Sequence, residues 1–373
     1  IRPILSDRCF VCHGPDTAQR ATELRLDERD SAIEYAISVE QPAESELLKR
    51  IHSDDPDSLM PPPDSKLQLS DDEKRLLGEW IAAGAPYSEH WSFQPAQRPE
   101  VPALPNDLAA WPTNPIDHFV AERLAAEGLQ PSKEAQPVVL LRRLCLDLTG
   151  LPPSVVEVEE FEHQLAAVAD DTDPQAARLA VYEQWVDRWL ASPKFGERMA
   201  VDWLDVARYA DTYGYQADRY RATWPWRDWV TNAFNDNLPY DQFITWQIAG
   251  DLLPDATQQQ RLATAFNRHH RQTNEGGSVE EEFRAEYIAD RVNTFGAAFL
   301  GLTLECCRCH DHKYDPVTQE DYYRLSGFFN NIDESGLYSH FTDATPTPAM
   351  RLTNDDQQRR LRELDEQISL YVF

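Results

Sequence analysis

The pattern Cys-x-x-Cys-His occurs twice in this chain, as Cys9-Phe10-Val11-Cys12-His13 and as Cys306-Cys307-Arg308-Cys309-His310. The spacing is that of covalent c-type haem attachment. Two thiols reach the vinyl groups at one edge of the macrocycle, and the adjacent His turns beneath it to take the iron. Cysteine is otherwise scarce: the chain holds six in 373 residues, and five of them fall inside the two motifs. The main competing reading is zinc, with Cys9, Cys12, Cys306 and Cys309 forming one closed four-thiolate centre. An all-thiolate site has no use for the His that follows the second Cys in both copies, and the wide separation of the motifs favours two local centres. Disulfide pairing is a third reading. The sequence therefore predicts two covalently bound haem c groups, with His13 and His310 as proximal iron ligands.

A chain of this length predicts two or three domains with a sizeable core. Ten Trp, fourteen Tyr and fifteen Phe within a 42% hydrophobic composition place it among globular proteins. The net charge of −29 disfavours nucleic acid, whose phosphates need the opposite sign, and suits either solubility or the steering of a basic redox partner. No apolar run approaches a membrane span. The absence of an initiator Met, with a haem-type Cys already at position 9, reads as a chain whose targeting segment has been removed. Thioether attachment of haem takes place outside the cytoplasm, so a periplasmic, cell-surface or extracellular location is expected. Cys145 and Cys307 would either pair or remain buried free thiols.

Residues 1–87 read as a small class I cytochrome c-like domain. After the motif come a helical stretch from Glu44 to His52, then Met60 ahead of Pro61-Pro62-Pro63, then a capping box at Ser70-Asp71-Asp72-Glu73 that starts a helix. Leu76, Leu77, Trp80 and Ile81 are expected on one face of that helix, which Gly84 and Pro86 end. In this order His13 is the proximal ligand and Met60 the distal one, with His52 as the competitor. Three prolines hold the thioether loop.

Residues 88–113 are rich in Pro and polar groups and read as a linker. Asn114 caps a helix beginning at Pro115, with Ile116, Phe119, Val120 and Leu124 on one face. Helical patterns follow over 137–148, 154–166, 175–191, 195–210, 226–236, 240–249, 257–268, 280–302 and 318–330. Long loops are expected near 211–224 and 335–350. The fold class is all-α: the small domain plus a larger helical haem domain over 114–350. A helical extension starts over 351–373, with a further domain or partner chain expected beyond it.

Gly301-Leu302-Thr303-Leu304-Glu305-Cys306, continuing through Cys309-His310-Asp311-His312-Lys313-Tyr314-Asp315-Pro316, resembles large planctomycete proteins. In those, a planctomycete cytochrome c domain precedes an uncharacterised cytochrome-like domain. Similar stretches are Ala207-Arg208-Tyr209-Ala210-Asp211, Trp226-Arg227-Asp228-Trp229, Pro239-Tyr240-Asp241-Gln242-Phe243, Asn274-Glu275-Gly276-Gly277 and Tyr287-Ile288-Ala289-Asp290-Arg291, together with Asn267-Arg268 and His270. The resemblance spans nearly the whole chain. It implies an exported haem protein, often coupled to a further C-terminal domain, and leaves the reaction open. His269 departs from the Asn usual at that position, which bears on any choice between His269 and His270.

His270, at a helix end before a Gly-containing loop, is the first candidate for the distal ligand of the second haem. His312 is too near His310 to cross to the opposite face. With an open sixth position, Arg268, His269, His270, Glu275, Arg284, Asp290 and Arg291 become a candidate distal pocket, and Arg268, His269 and His270 candidate catalytic residues. The plainer reading gives Arg284, Glu286, Asp290 and Arg291 ordinary ion pairs within one helix. Propionate binding by Arg208, Arg227 or Arg291 lies between the two. Trp203, Trp224, Trp226, Trp229 and Trp246 read as core around a large cofactor rather than as an exposed stacking surface.

Together these features describe an exported dihaem cytochrome that transfers electrons, within a longer redox protein or assembly. Two alternatives stay open. One is a haem-dependent oxidoreductase, peroxidase-like or a substrate dehydrogenase, with an open second haem. The other is a structural multihaem subunit of an oligomer or filament.

Overall fold

A computed structural model describes residues 1–17, 19–88, 91–338 and 346–371, the side chains of 91, 370 and 371 excepted. In chain order the α-helices are α1 (Arg2–Arg8), α2 (Phe10–His13), α3 (Arg29–Tyr35), α4 (Glu46–Ile51), α5 (Asp71–Ala82), α6 (Pro115–Ala126), α7 (Pro137–Thr149) and α8 (Val155–Ala167). They continue as α9 (Pro174–Leu190), α10 (Pro193–Val206), α11 (Trp224–Asn235), α12 (Tyr240–Ala249), α13 (Gln258–Ala263), α14 (Glu280–Phe295), α15 (Gln319–Phe329) and α16 (Asp355–Tyr371). Extended pairing among the described residues is confined to two isolated bridges, Thr212 with Tyr220 and Thr273 with Leu337. The protein is all-α.

Capping chemistry starts many of these helices. Ser70, Asn114, Ser154, Thr257 and Thr318 each accept a bond from the N3 amide, while the N3 side chain accepts one from the cap's own amide. Several helices stop short of their apolar pattern. Helix α14 gives way at Gly296–Leu300 to a wider turn, closed by Gly301 in the left-handed region at φ 64°. Helix α10 ends at Val206, and Arg208 turns the chain at φ 57°. The expected loop near 335–350 lies partly in 339–345, outside the described residues.

The chain forms two compact units. The first comprises Ile1–Gln94, Val206–Thr223 and Ala265–Phe373, and the second Pro95–Asp205 and Trp224–Thr264. In the first unit one core gathers Leu5, Phe10, Leu26, Ile37, Leu47, Ile51, Leu77, Trp80 and Ile81 around the first motif. Leu76 stays exposed, one position off the buried stripe of α5. A separate core joins Val292 of α14, Cys307, and Tyr322 and Phe329 of α15.

In the second unit, Leu141, Cys145, Phe161, Val181 and Trp185 bind α7, α8 and α9 together. Trp226 donates its indole N–H to the Ala263 carbonyl at 3.0 Å, and Trp229 stacks on Phe243. Trp226 and Trp229 are buried core, Trp203 and Trp246 are half-buried, and Trp224 is exposed. The expected apolar face of α6 is not covered within its unit: Ile116, Phe119 and Val120 are exposed, and Ala121 is the residue buried. Cys145 and Cys307 are both buried free thiols, one in each unit. No helix among the described residues is long and apolar enough to cross a membrane.

Candidate functional site

The two Cys-x-x-Cys-His motifs fold into the same backbone turn. In the first, the Cys12 and His13 amides donate to the Cys9 carbonyl at 3.1 and 2.9 Å. In the second, the Cys309 and His310 amides donate to the Cys306 carbonyl at 3.2 and 3.3 Å. In both, the residue after the first Cys is the anchor: Phe10 and Cys307 are buried in their respective cores. That burial sets where the two thiols and the His can point.

A walled cavity opens beside the first turn. A cavity of about 800 Å³ is lined by Cys9, Cys12, His13 and Met60, with Leu5, Leu47, Ile51 and Leu77 supplying apolar surface. Arg8 and Arg50 stand at the same wall, cations suited to the carboxylates a haem carries. The Cys12 and His13 carbonyls accept from the Ala21 and Leu26 amides at 3.0 and 2.8 Å, which folds residues 21–26 under the motif. His13 Nδ1 lies 2.9 Å from the Thr22 hydroxyl, and the ring makes a further backbone hydrogen bond to Leu24. The Thr22 contact engages Nδ1, the arrangement in which Nε2 is the nitrogen offered to a metal. Burial holds His13 below its usual range against the pull of the Leu24 bond, so the ring is a neutral base. Burial also pushes the Cys9 thiol up to about 12, helped by neighbouring Cys12.

The Met60 amide donates to the Arg50 carbonyl at 3.2 Å, tying the Pro-rich loop to the end of α4. His52, the competing distal ligand, is exposed and is not among the residues lining the cavity. Gly14 follows His13 where nothing larger fits. A Cβ there would lie 2.5 Å from the Phe10 carbonyl oxygen and 2.6 Å from the Phe10 Cβ. Size, apolar wall, thiols, a neutral imidazole and a thioether together fit a covalently held haem.

The second turn is open. Cys306, Cys309 and His310 are all exposed, and His310 Nδ1 donates to the Asp311 carbonyl at 2.7 Å, which again leaves Nε2 as the free acceptor. Arg308 makes paired bonds to Glu286 of α14 at 3.1 and 2.5 Å, fixing the turn against that helix. The segment after it is braced from within. His312 Nδ1 accepts from the Tyr314 and Asp315 amides at 3.3 and 2.8 Å, and Asp311 accepts from the Gln319 amide at 2.8 Å. His312 is therefore a loop brace, which explains its place two residues beyond His310. Thiols and imidazole suit haem attachment here as well, on an exposed face. The four motif thiols do not meet: among the described residues no three His, Cys, Asp or Glu side chains converge as a metal site.

His270 is fully buried, with both ring nitrogens engaged. Nδ1 lies 2.9 Å from the Arg271 carbonyl, which only accepts, so Nδ1 carries the proton. Nε2 of the neutral ring then accepts from Arg291 Nη2 at 2.9 Å. The ring stacks on Tyr287 with centroids 4.2 Å apart. Arg291 pairs with the buried carboxylate of Glu334, and Arg268 lies 3.6 Å from it. Burial drives His270 down to about 4, with the Arg291 charge adding to it. Burial alone would raise the Glu334 carboxyl, but the charges of Arg291 and Arg268 hold it below its usual range. With the ring neutral, the two guanidiniums hold the carboxylate.

His269 is also buried, edge-on to Tyr209, and is driven well below its usual range by burial and by the charges of Arg221 and Arg208. Arg268, His270 and Arg291 thus gather around Glu334, with His269 buried nearby against Tyr209. Glu275 is exposed, and Arg284 donates to the Asn330 carbonyl at 3.2 Å. The residues of α14 do not pair within their helix. Glu286 reaches Arg308, Asp290 reaches Arg208 at 2.6 Å, and Arg291 reaches Glu334. Arg208, Arg227 and Arg291 each have a carboxylate partner, that of Arg227 being Asp228. Nothing in the sequence singles out Glu334 or Arg221. Each lies in a loop far from its partners, and no local pattern marks it.

Compared with known proteins, residues 115–334 match the family model PSCyt2, described as a protein of unknown function (DUF1549). Residues 9–64 match PSCyt1, planctomycete cytochrome C. No curated protein and no solved structure matches the chain.

Proposed function

Since the chain belongs to the PSCyt2 family and carries a planctomycete cytochrome C domain ahead of that region, we propose that it is an exported dihaem c-type cytochrome that relays electrons. The cytochrome C domain makes it a c-type cytochrome with covalently bound haem c, acting in electron transfer. The reading beyond that is a second haem on Cys306 and Cys309, with His310 as its proximal ligand. One observation supports it above all: both motifs form the same hydrogen-bonded turn, with a buried residue after the first Cys.

Bound haem supplies reversible one-electron chemistry. The residues do the rest. His13 presents Nε2 because the Thr22 hydroxyl engages Nδ1, and Met60 offers a thioether sulfur that favours the reduced metal. The apolar wall lowers the local dielectric around the first site. The net charge of −29 selects a basic partner protein, or a basic face of a further domain of the same polypeptide.

The test is an optical redox titration of the purified chain alongside Met60→Ala. Two one-electron waves are expected, and only one should move to lower potential in the variant. A single wave, or two waves unmoved by the substitution, would sink this assignment.

One observation favours the oxidoreductase alternative at the second site. His270 spends both ring nitrogens inside the Glu334 network, while Cys306, Cys309 and His310 face outward. A haem there without a second protein ligand would admit small molecules. Carbon monoxide or cyanide binding by half of the haem would support this, and two low-spin, ligand-inert centres would exclude it.

A further inference from the structure

Helix α1 runs directly into the first motif, ending at Arg8 beside Cys9. Its side chains reach the segment that leaves the second motif. Arg2 donates through Nε and Nη2 to the Tyr314 carbonyl, each at 3.3 Å. The Tyr314 hydroxyl donates to Asp7 Oδ1 at 2.9 Å, and Lys313 forms an ion pair with the same carboxylate. These contacts join two stretches more than three hundred residues apart in the chain, within one compact unit.

Chain geometry turns them into a bound. Cys9 follows Asp7 by two residues and His310 precedes Lys313 by three. Their Cα atoms therefore lie at most about 7 Å and about 11 Å from the Cα atoms of Asp7 and Lys313. The loop side is not slack, because His312 braces the Tyr314 and Asp315 amides and Asp311 holds Gln319. Any single exposed ion pair is weak. Here a bifurcated Arg–carbonyl contact, a phenol–carboxylate bond and a Lys–carboxylate pair converge on four side chains between two braced turns.

We propose that Arg2, Asp7, Lys313 and Tyr314 are positioning residues that hold the two haem-attachment turns side by side, so that an electron passes directly between the two haems. Haems held by these turns would exchange a single electron, one iron oxidised as the other is reduced, with no atom transferred. The inference rests on the two-haem reading above.

The experiment uses the full haem-loaded chain. The wild type, Asp7→Lys, and Asp7→Lys combined with Lys313→Asp are compared by pyridine haemochrome count, electron paramagnetic resonance of the oxidised state, and hydrogen exchange. All three should carry two haems. The wild type should show spin–spin interaction between the two ferric centres. Asp7→Lys should weaken it and speed exchange at residues 3–9 and 311–315 roughly two- to fivefold. The charge-swapped double variant should recover both. Two haems per chain without magnetic interaction in the wild type would overturn the junction alone, as would an interaction that Asp7→Lys leaves intact. One haem per chain would overturn the two-haem reading, and the relay with it.

Discussion

At the scale of single residues, the first site is defined by what surrounds each reactive atom. Cys9 is the clearest case. A thiol pushed up to about 12 by burial is protonated at any physiological pH, and only thiolate is nucleophilic. In haem-free chain at pH 8.5 the Cys9 thiolate is therefore a minor species. Iodoacetamide should therefore modify Cys9 far more slowly than exposed Cys306 and Cys309, and peptide mass spectrometry over a time course reads this directly. Equal rates at all three would mean that the Cys9 pocket is open in the haem-free chain. Gly14 is constrained by space rather than charge. Gly14→Ala drives a methyl into the Phe10 backbone and should destabilise the first domain by about 1–3 kcal/mol, measured as a lower urea midpoint.

At the scale of elements, local chemistry was easier to read than long-range partnership. Ser70-x-x-Glu73 and Asn114-Pro115 give away their helices, because a cap needs only residues within one turn of it. The Cys-x-x-Cys-His turns are equally local, and Met60 could be named from its place before three prolines. Other features depend on what lies across the fold. The pattern of α6 predicts a buried face of Ile116, Phe119 and Val120, yet its own unit leaves them exposed. His270 looked like a ligand at a helix end. Only tertiary structure brings it to Glu334, sixty-four residues away, and to Arg291. The two kinds of feature also differ in energy. Ser70→Ala should cost about 1 kcal/mol, the worth of an exposed cap. Arg291→Ala leaves the Glu334 carboxylate buried beside a depleted set of cations and should cost about 3–5 kcal/mol. Chemical denaturation of the two variants side by side checks the contrast, and comparable losses would contradict the network.

At the scale of the whole molecule, two buried neutral histidines make the first unit acid-sensitive. His270 binds its proton near 4 when folded and near 6.5 when unfolded. Between those values the unfolded chain holds more protons, so stability falls as pH falls, by about 3 kcal/mol for this residue. His269 is depressed too and acts in the same direction. Glu334, with its carboxyl depressed by Arg291 and Arg268, adds stability above the ordinary carboxylate range and loses it as pH falls below that range. The melting temperature of the first unit should thus decline from pH 6.5 downward, well before the carboxylates titrate. His270→Gln, which cannot take up a proton, should flatten that slope while lowering stability at pH 7. An unchanged slope in the variant would move the acid sensitivity elsewhere.

The central claim is that both Cys-x-x-Cys-His turns carry haem, and counting haem tests it most directly. Pyridine haemochrome and intact mass should be measured on the native chain, on Cys9→Ala with Cys12→Ala, and on Cys306→Ala with Cys309→Ala. The account predicts two haems per native chain and one covalent haem in each double variant. A native chain with one haem, unaffected by loss of Cys306 and Cys309, would contradict it.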